Sequence, residues 1–200
     1  MTGAAPILRT THLADAADRI GLPGPVAAGG FTAFGQPGRT AVGRAYTVLQ
    51  EAVHPAPDEA TPPTRHGEAA ASLAAPGDVL VIAVQGETDA ASWGGAHTLR
   101  ATRRGLAGVV VDGFTRDAEE LAAAGIRILA RGAAPHGSRR RLRTVSVGEE
   151  VRVGGITVRS GDLVALDADG FVCIPAAHAG EAMALARSIA EAEFLRDSQL

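Results

Sequence analysis

Lysine and asparagine are both absent from the 200 residues, so all 19 basic side chains are arginine. Without a side-chain amine there is no Schiff base, no protein-bound enamine, no attachment point for pyridoxal phosphate and no phosphate-loop lysine. Carbon–carbon bond chemistry in such a chain needs another electron sink, and a metal ion can supply it. A coding bias toward alanine, glycine and arginine explains the absence equally well, and the chemical exclusion holds under either cause. Cysteine is scarce: Cys173 stands alone in the apolar run Gly-Phe-Val-Cys-Ile-Pro, so an intramolecular disulfide is impossible and a buried thiol fits better than a nucleophile. Aromatic residues make up 4% of the chain and the net charge is −3, which argues against nucleic acid and anionic membranes as partners. No apolar run approaches membrane-spanning length and the amino terminus carries no basic segment followed by an apolar one, so a cytoplasmic location is expected.

What is present suits one compact domain over residues 1–200, with a hydrophobic content of 46%. Thr11 to Gly21 has helical spacing, with Leu13, Ala16, Ala17 and Ile20 on one face and Asp15 off it. Gly43 to Leu49 reads as a strand, followed by a loop from Val53 to Arg65 rich in proline and acid, a candidate mobile cover. His66 to Ala75 reads as a helix leading into a buried strand, Val79 to Val84. A polar loop from Gln85 to Ser92, the glycine-rich stretch Trp93-Gly-Gly-Ala-His97 and a helix from Thr98 to Arg104 follow. Two strand–loop–helix units in succession imply parallel strands. The second half reads as a short strand (Ile126 to Ala130), a loop from Arg131 to Arg143, hairpins turning at Gly154-Gly155 and Asp169-Gly170, and an amphipathic helix from Ala176 to Leu195.

Residues 105–117, Gly-Leu-Ala-Gly-Val-Val-Val-Asp-Gly-Phe-Thr-Arg-Asp, carry the strongest functional signal. A buried strand over Ala107 to Val111 gives way to glycine, arginine and aspartate before a helix from Ala118 to Gly125, which puts Arg116 and Asp117 at a strand-to-helix turn. Ligands gather at such turns in α/β architectures. The plain structural alternative is that Asp117 caps the helix and Arg116 pairs with a neighbouring carboxylate. Asp112, at the expected strand end, is placed to orient Arg116. His12, His54, His66, His136 and His178 show no ligand spacing. The arginines at 139–143 suit a solvated, ion-paired loop or a subunit contact better than RNA or phosphate.

The ordered stretches Leu13-Ala-Asp15-Ala, Gly43-Arg-Ala-Tyr-Thr-Val, Pro76-Gly-Asp-Val-Leu-Val, Gly108 to Asp117, Gly154-Gly-Ile-Thr-Val with Gly161-Asp-Leu-Val, and Asp169-Gly-Phe-Val together resemble the RraA-like family. That family includes metal-dependent 4-hydroxy-4-methyl-2-oxoglutarate aldolases, which share enolate chemistry with oxaloacetate decarboxylases, and the regulator of ribonuclease E activity. The resemblance implies an α/β fold, an α/β/α sandwich around a barrel-like mixed sheet, assembled as a homotrimer or hexamer with sites between subunits. It implies that Asp117 binds a divalent metal, Mg2+ or Mn2+, and that Arg116 contacts a 2-oxo acid whose cleavage or decarboxylation passes through pyruvate enolate. Gly94, Gly95, Ala96 and His97 would then offer backbone amides to the substrate carboxylate.

Here the chain departs from the pattern. Aldolases of this type carry an acidic residue directly after the glycine matching Gly94, where it orders a catalytic water, and this chain has Gly95. His97 is a candidate replacement, with a helix-cap or surface role as the alternative. The remaining acids would come across a subunit boundary: Asp15 from the amino-terminal helix, and Glu191 or Glu193, with Glu193 preferred, from the last one. The readings that follow are a lyase on a 2-oxo acid, a non-catalytic regulator binding a ribonuclease or another protein, and a different enolate reaction within a biosynthetic pathway. Methyl transfer finds no support, since no glycine-rich nucleotide loop precedes an acidic ribose ligand.

Overall fold

The computed structural model describes residues 6–24, 26–53 and 64–198, so most of the expected 53–65 cover lies outside the described residues. Helix α1 (Thr10–Arg19) buries Leu13, Ala16 and Ala17, the face its spacing foretold. Two short strands follow, β1 (Ala27–Ala28) and β2 (Thr32–Phe34), then the long β3 (Ala41–Ala52). The expected 66–75 helix is split into one turn, α2 (His66–Glu68), and a π turn over Ala69–Leu73. Ala74 N–H reaches back five residues to Ala69 O (3.0 Å), which widens this turn.

Next come β4 (Val79–Gln85), β5 (Ala91–Trp93), α3 (Gly95–Arg104), β6 (Gly108–Thr115), α4 (Ala118–Ala122) and β7 (Arg127–Ala133). Strand β5 falls in the stretch read as a polar loop: Ala91, Ser92 and Trp93 are buried beside β6, and that tertiary pairing overrides their polar surroundings. Strand β6 continues through Asp112 and Gly113 to Thr115, so Asp112 lies within the strand rather than at its end. The chain closes with β8 (Leu142–Val147), β9 (Val151–Val153), β10 (Ile156–Val158), β11 (Leu163–Leu166), β12 (Phe171–Ile174) and, after a 3-10 turn, α5 (Ala179–Asp197). Both glycine-centred hairpins form antiparallel pairs as expected. The 131–143 segment is less of a loop than its composition indicated, because β7 runs into it and β8 begins at its end.

The main sheet runs β1-β12-β11-β3-β4-β6-β7-β2, with β5 on β6 and β8 on β3. Strands β3, β4, β6 and β7 are parallel neighbours, as the strand–helix alternation required. Strand β3 bends the sheet by changing partners: Ala41 to Arg44 pair with β11, and Val48 to Ala52 pair with β8. Alternation along the parallel strands then builds two cores. Leu80, Ile82, Val109, Val111 and Ile128 face the layer of α2, α3 and α4, with Trp93 and Leu121. Val79, Val81, Val110 and Leu129 point the other way, onto Val151, Val153, Ile156, Val158 and Phe171. A third cluster packs α1 and α5 on Ala165, Val172 and Ile174. The result is the expected mixed sheet with helices, α2, α3 and α4 covering one face of the central strands, the β9–β10 hairpin the other, and α1 and α5 the β11–β12 end. Among the described residues no helix is long and apolar enough to cross a membrane.

Candidate active site

Arg116 and Asp117 follow β6 directly, and α3 starts beside them because Gly94 and Gly95 allow a close approach. A Cβ on Gly94 would lie 2.7 Å from Asp117 Oδ2 and 3.0 Å from Arg116 Cγ. Asp117 holds the left-handed conformation (φ 60°, ψ 42°), which aspartate tolerates at a strain of about 1 kcal/mol. By position it is the N-cap of α4, yet its side chain makes no cap bond there. Instead Oδ2 accepts the Gly95 N–H at the start of α3 (3.0 Å) and lies 3.6 Å from Arg116 Nε. The carboxylate is 37% exposed and Oδ1 has no protein partner among the described residues.

These residues line a small cleft of about 50 Å³ with Ser92, Trp93, Gly94, Ala96, His97 and Ser138. The floor is rigid: Trp93 is buried, its Nε1–H donates to Thr98 Oγ1 (2.8 Å), and Arg116 N–H donates to Trp93 O (2.9 Å). Of the expected amides, Gly95 N–H is taken by Asp117, and His97 N–H by Gly94 O (3.1 Å). His97 is held on both ring nitrogens, by His66 at 2.9 Å on Nε2 and by Arg100 at 2.9 Å on Nδ1. Burial, then the charges of Arg100 and Arg116, push its pKa down to about 4. Burial, then His97 and Arg100, push that of His66 down to about 3, so both rings are neutral at pH 7.

Other expected residues lie elsewhere. Asp112 does not orient Arg116: it pairs with Arg131 (2.6 Å) and accepts Gly154 N–H (2.7 Å), fastening the β9–β10 hairpin, because β6 carries its side chain to that face. Asp15 is exposed on α1, and Glu193 on α5 meets His12 Nε2 at 3.0 Å within the same chain. Neither lines the cleft of its own chain. In the 139–143 cluster, Arg143 pairs with Glu51. Ser92, Gln50, His66, Arg100 and Glu120 were not singled out as site residues from the sequence. Only the placement of Ser92 two residues before the glycine pair offered a signal.

The donor set suits a hard divalent cation. No group of three or more His, Cys, Asp or Glu side chains is placed to hold a metal among the described residues, and Asp117 offers one accessible carboxylate oxygen. Magnesium accepts such a site, with water and substrate oxygens completing its shell.

Known proteins extend the comparison. A provisionally named 4-hydroxy-4-methyl-2-oxoglutarate aldolase of Halalkalibacterium halodurans is 36% identical over 102 residues, 51% of this chain and 48% of that protein. A protein of the same provisional name from Albidiferax ferrireducens is 40% identical over 101 residues, 48% of this chain and 55% of that one. The chain thus spans about half the length of the curated relatives it matches. A solved structure of Streptomyces coelicolor RraAS2, described as an unusual member of the RNase ES inhibitor RraA protein family, superposes with a TM-score of 0.81 at 26% identity, covering 96% of this chain and 93% of that one. A family model described as RraA-like, Aldolase/RraA, matches residues 10–173, and the chain belongs to that family.

Proposed function

We propose that the chain is a divalent-metal-dependent lyase that cleaves or decarboxylates a 2-oxo acid. The observation that carries this reading is the convergence of Arg116, the half-exposed Asp117 carboxylate and the start of α3 on one cleft. Asp117 would hold Mg2+ or Mn2+, which when bound supplies the electron sink for the developing pyruvate enolate. Gly95 N–H fixes the Asp117 carboxylate. The Arg116 guanidinium, held over Gly94, supplies fixed positive charge to a substrate carboxylate or oxo oxygen. Asp15 and Glu193 would serve the cleft of a neighbouring copy in a trimer or hexamer and carry the proton traffic there. The buried Trp93 floor keeps water from beneath the bound acid.

The test is titration of oxalate, which mimics pyruvate enolate, with and without magnesium, into wild type and Asp117→Ala. Magnesium-dependent binding that disappears in the variant supports the reading. Its absence from the wild type, with no cleavage of any oxo acid, sinks it.

Two observations favour a second reading, a non-catalytic regulator of a ribonuclease or another protein: position 95 has no side chain, and His97 is already engaged on both nitrogens. The resemblance to RraAS2 is consistent with it. A pull-down that recovers no ribonuclease component would count against it.

A further inference from the structure

A polar chain, buried from His66 to Ser92, runs behind the cleft and meets it at two points. Arg100 Nη1 is 2.9 Å from His97 Nδ1, His97 Nε2 is 2.9 Å from His66 Nε2, and the Gln50 amide bridges His66 Nδ1 (2.6 Å) and Ser92 Oγ (2.5 Å). Gln50, His66 and Ser92 are all 1% exposed or less, so donors and acceptors must match throughout. His97 and Ser92 both line the cleft. Gly67 makes the packing possible, since a Cβ there would lie 2.8 Å from the His97 ring.

The chain has one self-consistent direction. Arg100 only donates, so His97 Nδ1 accepts and its single ring proton is on Nε2. That proton is donated to His66 Nε2, which leaves the His66 proton on Nδ1, facing Gln50. With Gln50 Nε2 toward His66 and Oε1 toward Ser92, two donors would face each other at His66 Nδ1. An amide has the same shape when turned over, and with Oε1 toward His66 and Nε2 toward Ser92 every link pairs a donor with an acceptor. Ser92 Oγ then receives the Gln50 N–H, and among the described residues its own hydroxyl proton has no other acceptor.

We infer that the directed chain from Arg100 through His97, His66 and Gln50 presents the Ser92 hydroxyl as a hydrogen-bond donor to an anionic oxygen of a ligand held by Arg116 in the same cleft. This rests on the anion-binding reading of that cleft. Ser92 is thus a substrate-contacting residue, and Gln50 and His66 are positioning residues. A neutral His97 fits this role, because a protonated ring would have no acceptor at Arg100 and the order of donors would break.

Two measurements on the full chain decide it. Nitrogen-15 NMR of the histidine rings at pH 7 should show His66 protonated on Nδ1 and His97 on Nε2, with both tautomers of His97 populated in Arg100→Met. The reverse tautomers in the wild type overturn the directed chain whatever the cleft binds. Oxalate with magnesium should bind Ser92→Ala about tenfold more weakly than wild type, the scale of one hydrogen bond to a charged acceptor. Equal affinity with the expected tautomers overturns the Ser92 contact and leaves the lyase reading standing. A wild type that ignores oxalate overturns the reading of the cleft and the Ser92 contact together, while the tautomers still decide the direction of the chain.

Discussion

The Glu120 carboxylate occupies the space that a side chain on Gly95 would need: a Cβ built there would lie 1.8 Å from Oε2. The missing acid at position 95 is therefore not a vacant slot. Gly95→Asp introduces a carboxylate that must displace Glu120, an exposed side chain on α4 that is free to swing away. The single substitution should leave the fold intact and change oxo-acid cleavage little, because two like charges compete for one place. Combined with Glu120→Ala it should raise turnover by about 10²-fold, the low end of general acid–base contributions. Steady-state cleavage of oxaloacetate by the three proteins checks this, and a drop in the double variant would show that Glu120 itself serves the reaction.

The two neutral histidines make stability depend on pH. Their folded pKa values, about 3 for His66 and about 4 for His97, lie below an unfolded value of about 6.5. Protons bind the unfolded chain first, so the stabilisation is complete above about pH 6.5 and is lost as pH falls toward the folded values. His66, fully buried, should contribute up to about 1.4 kcal/mol per pH unit in that window, and the partly exposed His97 less. Urea denaturation at pH 7.5 and 5.0 should show this slope in the wild type and a shallower one in His66→Gln. An unchanged slope would mean that His66 is not held neutral.

Gly43 should tolerate no side chain. In β3 a Cβ would lie 2.1 Å from the backbone oxygen of Gly77, which belongs to the tight turn before β4 and cannot retreat. Gly43→Ala should cost about 3 kcal/mol, at the upper end of overpacking penalties. Gly125→Ala, where nothing lies within 4 Å, is the control and should be neutral or slightly stabilising. Thermal melts of the two variants separate crowding from a general effect of replacing glycine.

Asp112→Ala removes the partner of Arg131 and of Gly154 N–H. It should destabilise the fold by about 2 kcal/mol, the scale of leaving such groups unpaired, with magnesium-dependent oxalate affinity within about twofold of wild type. A loss of affinity with unchanged stability would return Asp112 to the neighbourhood of Arg116.

Local pattern was enough for the periodic features. The buried apolar runs at Val79 to Val84 and Ala107 to Val111, the two glycine hairpins and the apolar face of α1 each depend on neighbours a few residues away, and the parallel order followed from strand–helix alternation. The turn at Arg116 and Asp117 was legible because charge interrupts a buried strand, and the absence of lysine had already removed one chemistry from that turn. Tertiary structure alone decided the rest. Ser92 became a strand residue only because β6 lies beside it, Asp112 turned to Arg131 only because β6 runs on to Thr115, and Glu120 filled the space at Gly95 from a different helix. The buried chain joins Gln50, His66, Ser92, His97 and Arg100 from β3, α2, β5 and α3. No spacing along the chain encodes it, because hydrogen-bond complementarity is satisfied among neighbours in space.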